Sequence, residues 1–236
     1  MQAVILAAGE GKRMRPLTLE RPKPLIEVAG RPILEHIIDA LPREVDEIIL
    51  VVGYKGGLIR DHFGVSYKGR RIRYVHQWMP AGTAHALSVA EPLLREGRFV
   101  FVCGDDLHGA EAFEIALSHP LALLAATHPE PSLFGVLELN ADHTLASIVE
   151  KPEMPPTNLI STGAMVLDTR IFGYEAARHE SGEYYLTYPL NLFAKEHPLM
   201  VVMQDFWVPI GYPEDITAAA EKLMQYGSAT PEAVIE

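Results

Sequence analysis

The 236-residue sequence predicts an α/β chain: a three-layer fold with a mixed, mainly parallel central sheet and helices on both faces. Three observations carry that expectation. Short β-branched or aromatic runs each end in turn residues, helical periodicity fills the gaps between them, and the two alternate along the first part of the chain as βαβ units do. With 48% hydrophobic and 22% charged residues, the chain can bury a substantial core as one large domain.

Gln2 to Ala7 is the first strand, an apolar run ended by Gly9. Ile48 to Val52, Ile72 to Val75 and Phe99 to Cys103 are of the same kind. Between them, Pro32 to Leu41 sets Ile33, Leu34, Ile37, Ile38 and Leu41 on one helical face, and Pro32 suits a first turn because its missing N–H has no partner there anyway. Thr83 to Leu94 repeats the pattern with Ala84, Leu87, Ala90 and Leu94. The rhythm then changes: Leu121 to Thr127, Val136 to Leu139, Leu145 to Glu150 and Ser161 to Leu167 read as strands of a mixed sheet, with a turn at Asn140-Ala141-Asp142. Pro152 to Pro156 is a loop inside the domain, and Gly227 to Glu236 is expected to fray as a C-terminal tail.

Charge narrows the function. The chain carries a formal −11, yet residues 1 to 31 hold Lys12, Arg13, Arg15, Arg21, Lys23 and Arg31 against Glu10, Glu20 and Glu27, a local +3. An acidic protein with one basic island suits a small anionic ligand better than nucleic acid, which needs a broad basic face. The single Cys103 excludes an internal disulfide and fits a reducing, cytoplasmic setting. No apolar run approaches the roughly 20 residues of a membrane span, and the ten histidines form no zinc-type spacing.

In open α/β sheets ligands bind beyond the carboxyl ends of the strands, so the loops there carry the chemistry. The first, "LAAGEGKRMRP", puts two glycines and two arginines straight after a strand. That arrangement exposes backbone N–H groups and bidentate donors to an anion. It is not a P-loop, because Lys12 follows Gly11 with Arg13 after it, where that motif requires Ser or Thr, and Met14 stands where a dinucleotide fingerprint requires glycine. A lone glycine pair of this kind would be read as a plain strand-to-helix turn; the arginines and the following "PKP" weaken that reading.

The run from Gly9 through Arg13 to Thr18, followed by Pro22-Lys23-Pro24 and then "VAGRPI", resembles the N-terminal signature of the sugar-phosphate nucleotidylyltransferases. The resemblance implies the Rossmann-like nucleotidyltransferase fold over residues 1–226, with a nucleotide-binding half (1–110) and a sugar-phosphate-binding half (111–226). It implies transfer of a nucleotidyl group from a nucleoside triphosphate to a sugar 1-phosphate with release of pyrophosphate, assisted by Mg2+. On that pattern the loop residues Leu6, Ala8, Gly9, Gly11 and Lys12 wrap the triphosphate, Arg13 stabilises the transition state, and Lys23 contacts phosphate.

Three further segments extend the resemblance. "QWMPAGTAHAL" taken alone is a capped turn, with Thr83 capping the next helix; by resemblance it recognises the base through Gln77, Gly82 and Thr83, with UTP or dTTP favoured because an amide suits the edge of a pyrimidine. "FVFVCGDDL" ends an apolar strand in two carboxylates, which need solvent, a donor or a cation; the family pattern assigns Asp105 to the metal and leaves Asp106 unassigned. "FGVLEL", "IVEKP" and "ISTGAMV" occur in the family order and imply a sugar-phosphate site at Gly135, Glu150, Lys151, Thr162 and Gly163.

One departure stands out. Pro209 occupies the place of an aspartate that often supplies a second metal ligand, so either Asp205 or another group substitutes, or one carboxylate suffices, or the protein is a noncatalytic sensor. Guanylyl or cytidylyl transfer remains open, as does the choice of sugar and of monomer or homo-oligomer; a nicotinamide-dependent dehydrogenase is disfavoured by Met14 and the "PKP" segment.

Overall fold

The computed structural model describes residues 1–229, with side chains to Gly227. Strand β1 (Gln2–Ala7) leads into a connection built from short 3-10 turns, Lys12–Met14, Leu17–Leu19 and Lys23–Leu25. The small hairpin of β2 (Glu27–Val28) and β3 (Arg31–Pro32) precedes α1 (Ile33–Ala40), β4 (Glu47–Val52), α2 (Gly56–Phe63), β5 (Ser66–Tyr67) and β6 (Arg70–His76). Then follow α3 (Thr83–Ala90), β7 (Arg98–Cys103), β8 (Asp106–His108), α4 (Ala110–Leu117) and β9 (Ala122–Thr127). The remainder comprises β10 (Gly135–Leu139), β11 (Leu145–Glu150), β12 (Leu159–Asp168), α5 (Thr187–Glu196), β13 (Met200–Met203), β14 (Trp207–Pro209) and α6 (Asp215–Ala229).

Ten strands form one sheet in the order β11-β10-β12-β7-β1-β4-β6-β5, with β9 on β12 and β13 on β9. The pairs β1–β4, β1–β7, β4–β6 and β9–β13 are parallel, whereas β12 runs antiparallel to β7, β9 and β10. The expected mixed sheet is therefore present, with three of these four parallel pairs in the first half of the chain and β9–β13 in the second. Helices α1, α2, α4 and α6 pack on one face through Ile37, Ile38, Phe63, Phe113 and Ala219, and α3 and α5 on the other through Leu87, Ala90, Leu190 and Phe193. Burial on both faces explains why β4 is apolar throughout apart from Glu47.

Strand β12 is the pivot of the sheet. One edge follows β9 along its length; the other is shared, with Ile160 beside Val136 of β10 and Ala164 to Asp168 beside β7. Its register with β9 shifts between Ser161 and Met165, and such a shift bends the strand where Thr162 and Gly163 sit.

Several boundaries differ from those expected. Helix α1 starts at Ile33 with Pro32 at its N-cap, and α3 stops at Ala90, because Pro92 diverts the chain into the 3-10 turn Glu91–Leu93. The second half holds more helix than its strand-rich pattern suggested. α5 carries Pro189 in its first turn, where no N–H is needed, and in the first half α2, also not anticipated, opens on Gly56 and Gly57. Helix α6 includes Gly227 to Ala229, and residues 230–236 of the expected tail lie outside the described residues. No helix among the described residues is long and apolar enough to cross a membrane.

The loops above β1 are drawn together by close backbone contact. Gly104 donates its N–H to the Leu6 carbonyl at 2.9 Å, and a Cβ at Gly104 would lie 2.5 Å from that oxygen. Gly104→Ala is therefore expected to lower unfolding free energy by about 1–3 kcal/mol in urea titrations. Gly57→Ala, with open space around it in α2, should leave stability unchanged or raise it; equal behaviour of the two variants would contradict the packing argument.

Candidate active site

The turn after β1 is anchored from beneath and charged above. Met14 and Thr18 are buried, and Thr18 Oγ1 donates to the Gly11 carbonyl at 3.0 Å. Gly11 has φ +62°, and a Cβ there would press within 3.0 Å of Thr18 and 3.1 Å of Lys23, so the second glycine of the pair is the demanding one. Lys12 and Arg15 both pair with Glu10. Arg13 meets no carboxylate within ion-pair distance among the described residues and lies over the Tyr212 ring, 5.3 Å from its centroid. Its guanidinium donors are thus available to a ligand.

Lys23 is buried in the protein, and its Nζ reaches Asp105 Oδ2 at 3.0 Å across 82 residues of sequence. Desolvation opposes ionisation of Asp105, but the Lys23 ammonium overrides it and holds the carboxyl below its ordinary value. Asp106 goes the other way: burial, then the neighbouring Asp105 charge, push its pKa up to about 7. Both Asp106 oxygens already accept hydrogen bonds, from Trp207 Nε1 and from the Ile210 amide, each at 3.2 Å. Pro209 pairs directly with Asp106 in the β8–β14 ladder. Asp205 instead lines a separate small pocket with Met203 and Tyr226, so it does not stand in for the missing aspartate.

These groups open into a cleft of about 380 Å³. It brings together Arg13, Lys23, Asp105, Glu150, Lys151, Thr162 and Gly163 of the residues expected from sequence. Glu150 and Lys151 pair at 3.3 Å, and Lys151 adopts φ +42° while its amide donates to the Phe134 carbonyl at 2.9 Å. Such a conformation is sparsely populated outside glycine and is found preferentially at working sites.

Thr162 lines the cleft by its backbone position, but its hydroxyl faces inward. It donates to the Leu124 carbonyl at 2.9 Å and accepts from Gln204 Nε2. The Gln204 oxygen therefore faces His108 Nδ1 at 3.2 Å, which makes Nδ1 the protonated nitrogen and His108 a neutral imidazole; burial holds its pKa down to about 4. His108 Nε2 is buried with no partner among the described residues. The hydroxyl open to the cleft is that of Ser161, whose oxygen accepts from the Gly163 amide at 3.3 Å. Strand alternation, with Ile160, Thr162 and Ala164 buried and Ser161 and Gly163 half-buried, was the signal for it.

Gly135 lies behind the cleft, paired with Glu150 in the β10–β11 hairpin and not lining the opening. Leu6 is the penultimate residue of β1, and Ala8, Gly9, Gly11 and Lys12 form the turn after it; the neighbouring strand ends are tied together there, Tyr54 N–H donating to Ala8 O at 3.1 Å and Gln77 N–H to Val52 O at 2.8 Å. Gln77, Gly82 and Thr83 therefore follow β6 at the same end of the sheet. The segment is tied to Tyr184, which receives the Ala84 N–H and donates to Ala81 O. Thr83 does not cap its own helix; its hydroxyl accepts from Leu186 N–H at 2.9 Å. Gln77 is buried, and its amide nitrogen donates to Gly82 O at 3.3 Å and to His85 Nδ1 at 2.9 Å.

Sequence reasoning missed Asp215 and Tyr212. Asp215 Oδ2 accepts from the Gly211 and Tyr212 amides at 2.7 and 2.8 Å, fixing the turn against which Arg13 rests. The acid that opens the α6 run was the available signal. A hard cation fits the residues present: Asp105 is ionised, half-exposed, and has only Oδ2 engaged by Lys23. Among the described residues no three His, Cys, Asp or Glu side chains form a ready-made metal cage.

Comparison with known proteins places the chain in a family. Residues 2–226 match the Nucleotidyl transferase family. The chain is 35% identical to the UTP–glucose-1-phosphate uridylyltransferase AglF of Haloferax volcanii, over 95% of this chain and 97% of that protein. It is 37% identical to the bifunctional protein GlmU of Methanococcus maripaludis over 93% of this chain, and spans about half (53%) of that longer protein. Its fold matches a solved Bacillus anthracis protein assigned as a glucose-1-phosphate thymidylyltransferase, with TM-score 0.85, 24% identity and 94% of each chain covered.

The Asp106 environment has a consequence for stability. Its folded pKa of about 7 exceeds the ordinary 3.8, so between those values the folded state binds the proton that the unfolded chain has released. In metal-free protein this group makes unfolding free energy fall as pH rises from about 4 to 7. Relative to Asp106→Asn, the parent should lose stability across that window in urea titrations; a parent curve that rises relative to the variant would contradict the assignment.

Proposed function

The chain belongs to the Nucleotidyl transferase family, and from that premise we propose that it transfers a nucleotidyl group from UTP or dTTP to a sugar 1-phosphate, with Mg2+, releasing pyrophosphate. The observation that carries the reading is the convergence of Arg13, Lys23 and Asp105 with Glu150 and Lys151 in one cleft at the carboxyl ends of the strands. The 35% identity to a uridylyltransferase acting on glucose 1-phosphate supports it.

No enzyme nucleophile is needed. A phosphate oxygen of the sugar 1-phosphate attacks the α-phosphorus in line, the bond to the β-phosphate breaks, and pyrophosphate departs with the electron pair. Two anions must meet, so positioning and charge neutralisation dominate. The turn amides of Gly9 to Gly11 and Lys12 hold the triphosphate, and Arg13 donates to the oxygens of the five-coordinate phosphorus. Lys23, kept in place by Asp105, holds phosphate; Lys151 holds the sugar phosphate, and Glu150 accepts sugar hydroxyls. Asp105 would hold Mg2+, which when bound neutralises nucleotide oxygens.

The free acceptor of Gln77 favours a base that offers a ring N–H, as uracil and thymine do, and disfavours cytosine. Guanine also offers a ring N–H, so guanylyl transfer is the nearest competitor within the class. A noncatalytic sensor is the second reading, favoured by Pro209 opposite Asp106.

The test is pyrophosphate release from each common triphosphate with a panel of sugar 1-phosphates and Mg2+. Release with UTP or dTTP is expected; triphosphate binding without release would favour the sensor. Arg13→Ala should depress kcat by about a hundredfold or more while triphosphate affinity changes little; equal losses in both would remove Arg13 from the transition state. Asp105→Asn should weaken the Mg2+ dependence, and an unchanged metal titration would remove it from the ligand set.

A further inference from the structure

We infer that Asn191 is a positioning residue that holds Glu150 and Lys151 in the cleft by bracing the open edge of the sheet from α5. The inference rests on the proposed sugar-phosphate role of that pair.

Strand β11 is an outer strand of the sheet, so the backbone groups on its free side have no neighbouring strand to bond. At Ile148 a side chain takes the place of that strand. The Ile148 amide donates to Asn191 Oδ1 at 2.8 Å, and Asn191 Nδ2 donates to the Ile148 carbonyl at 2.5 Å. A backbone N–H can only donate and a carbonyl can only accept, so these two partners fix which way the asparagine amide faces. Ile148 is buried in the same apolar cluster as Leu190 and Phe193 of α5, which leaves its backbone few other partners. Asparagine is a poor choice for the middle of a helix, and this pairing accounts for it.

Two residues further on, the strand delivers Glu150 and then Lys151. The left-handed backbone of Lys151, φ +42°, persists only where the surroundings hold it. Its amide is tied to the Phe134 carbonyl at 2.9 Å, and its Nζ pairs with Glu150 at 3.3 Å and lies 5.1 Å from the centre of the Tyr185 ring. Tyr185 stands two residues ahead of α5, so the helix and its lead-in meet the hairpin at both points. The packing behind is equally close: a Cβ at Gly135, opposite Glu150, would lie 3.1 Å from Ile148 Cδ1 and 3.3 Å from Thr187 Cγ2. Asn191 does not line the cleft itself, so it acts through the strand and not on substrate.

The experiment compares the full chain with Asn191→Leu, which is a good helix former of similar size and makes neither hydrogen bond. Residue-resolved amide exchange needs no turnover. In the variant the Lys151 amide should exchange about tenfold faster or more, while the Gly104 amide, bonded to Leu6 away from β11, keeps its rate. In turnover with UTP and Mg2+, the KM for sugar 1-phosphate should rise about tenfold while UTP affinity changes little. Asn191→Asp, which sets a second acceptor against the Ile148 carbonyl, takes its place if the leucine variant does not fold. A Lys151 amide that exchanges at the parent rate, an unchanged KM for sugar 1-phosphate in an active enzyme, or an equal weakening of UTP binding overturns the inference. Lys151→Ala separates the two readings: if it changes the KM of no sugar 1-phosphate, or the parent turns none over, the sugar-phosphate site is misplaced, and the exchange rates alone decide on Asn191.

Discussion

The ion pair between Lys23 and Asp105 holds the site together. It spans 82 residues and joins the turn after β1 to the end of β7, the two neighbouring parallel strands at the centre of the sheet. Neither partner is comfortable alone. A buried ammonium needs an anion, and a carboxylate next to Asp106 needs a cation. Their mutual need keeps Asp105 ionised while burial drives its neighbour toward the neutral form. The pair thus sorts two adjacent carboxylates into one that can meet a cation and one that ties down a strand.

Around that pair the protein separates structural from chemical duties at nearly every position. Met14 and Thr18 root the glycine turn so that Arg13 can face outward. Asp106 binds Trp207 and Ile210, and Asp215 binds Gly211 and Tyr212, which gives Arg13 an aromatic surface to rest on. Thr162 turns its hydroxyl toward Gln204, leaving Ser161 and the Gly163 backbone at the opening. Strand β12 likewise serves two neighbours along one edge, β10 at Ile160 and β7 from Ala164 to Asp168.

Much of this was legible in the sequence. Alternating apolar runs and helical faces announced the three layers, and the glycine-arginine turn with its "PKP" continuation announced the family. What was not legible depended on contacts distant in sequence. Whether Thr162 or Ser161 faces the ligand depends on Gln204 and His108. That Asp205 leaves the cleft follows from β14 pairing with β8 through Pro209 and Asp106. Thr83 looked like a helix cap because its local pattern fits one, but Leu186, 103 residues away, claims its oxygen. Helices α2 and α5 escaped notice because glycine and proline sit in their first turns, where the backbone tolerates them.

The central claim is that the turn after β1 is folded around a triphosphate. A crystal structure with a nonhydrolysable UTP analogue tests it most directly. The account predicts phosphate oxygens within hydrogen-bond distance of the Gly9 to Gly11 amides and Arg13, with the uracil ring at Gln77. Nucleotide bound in another cleft, with that turn facing only solvent, would contradict it.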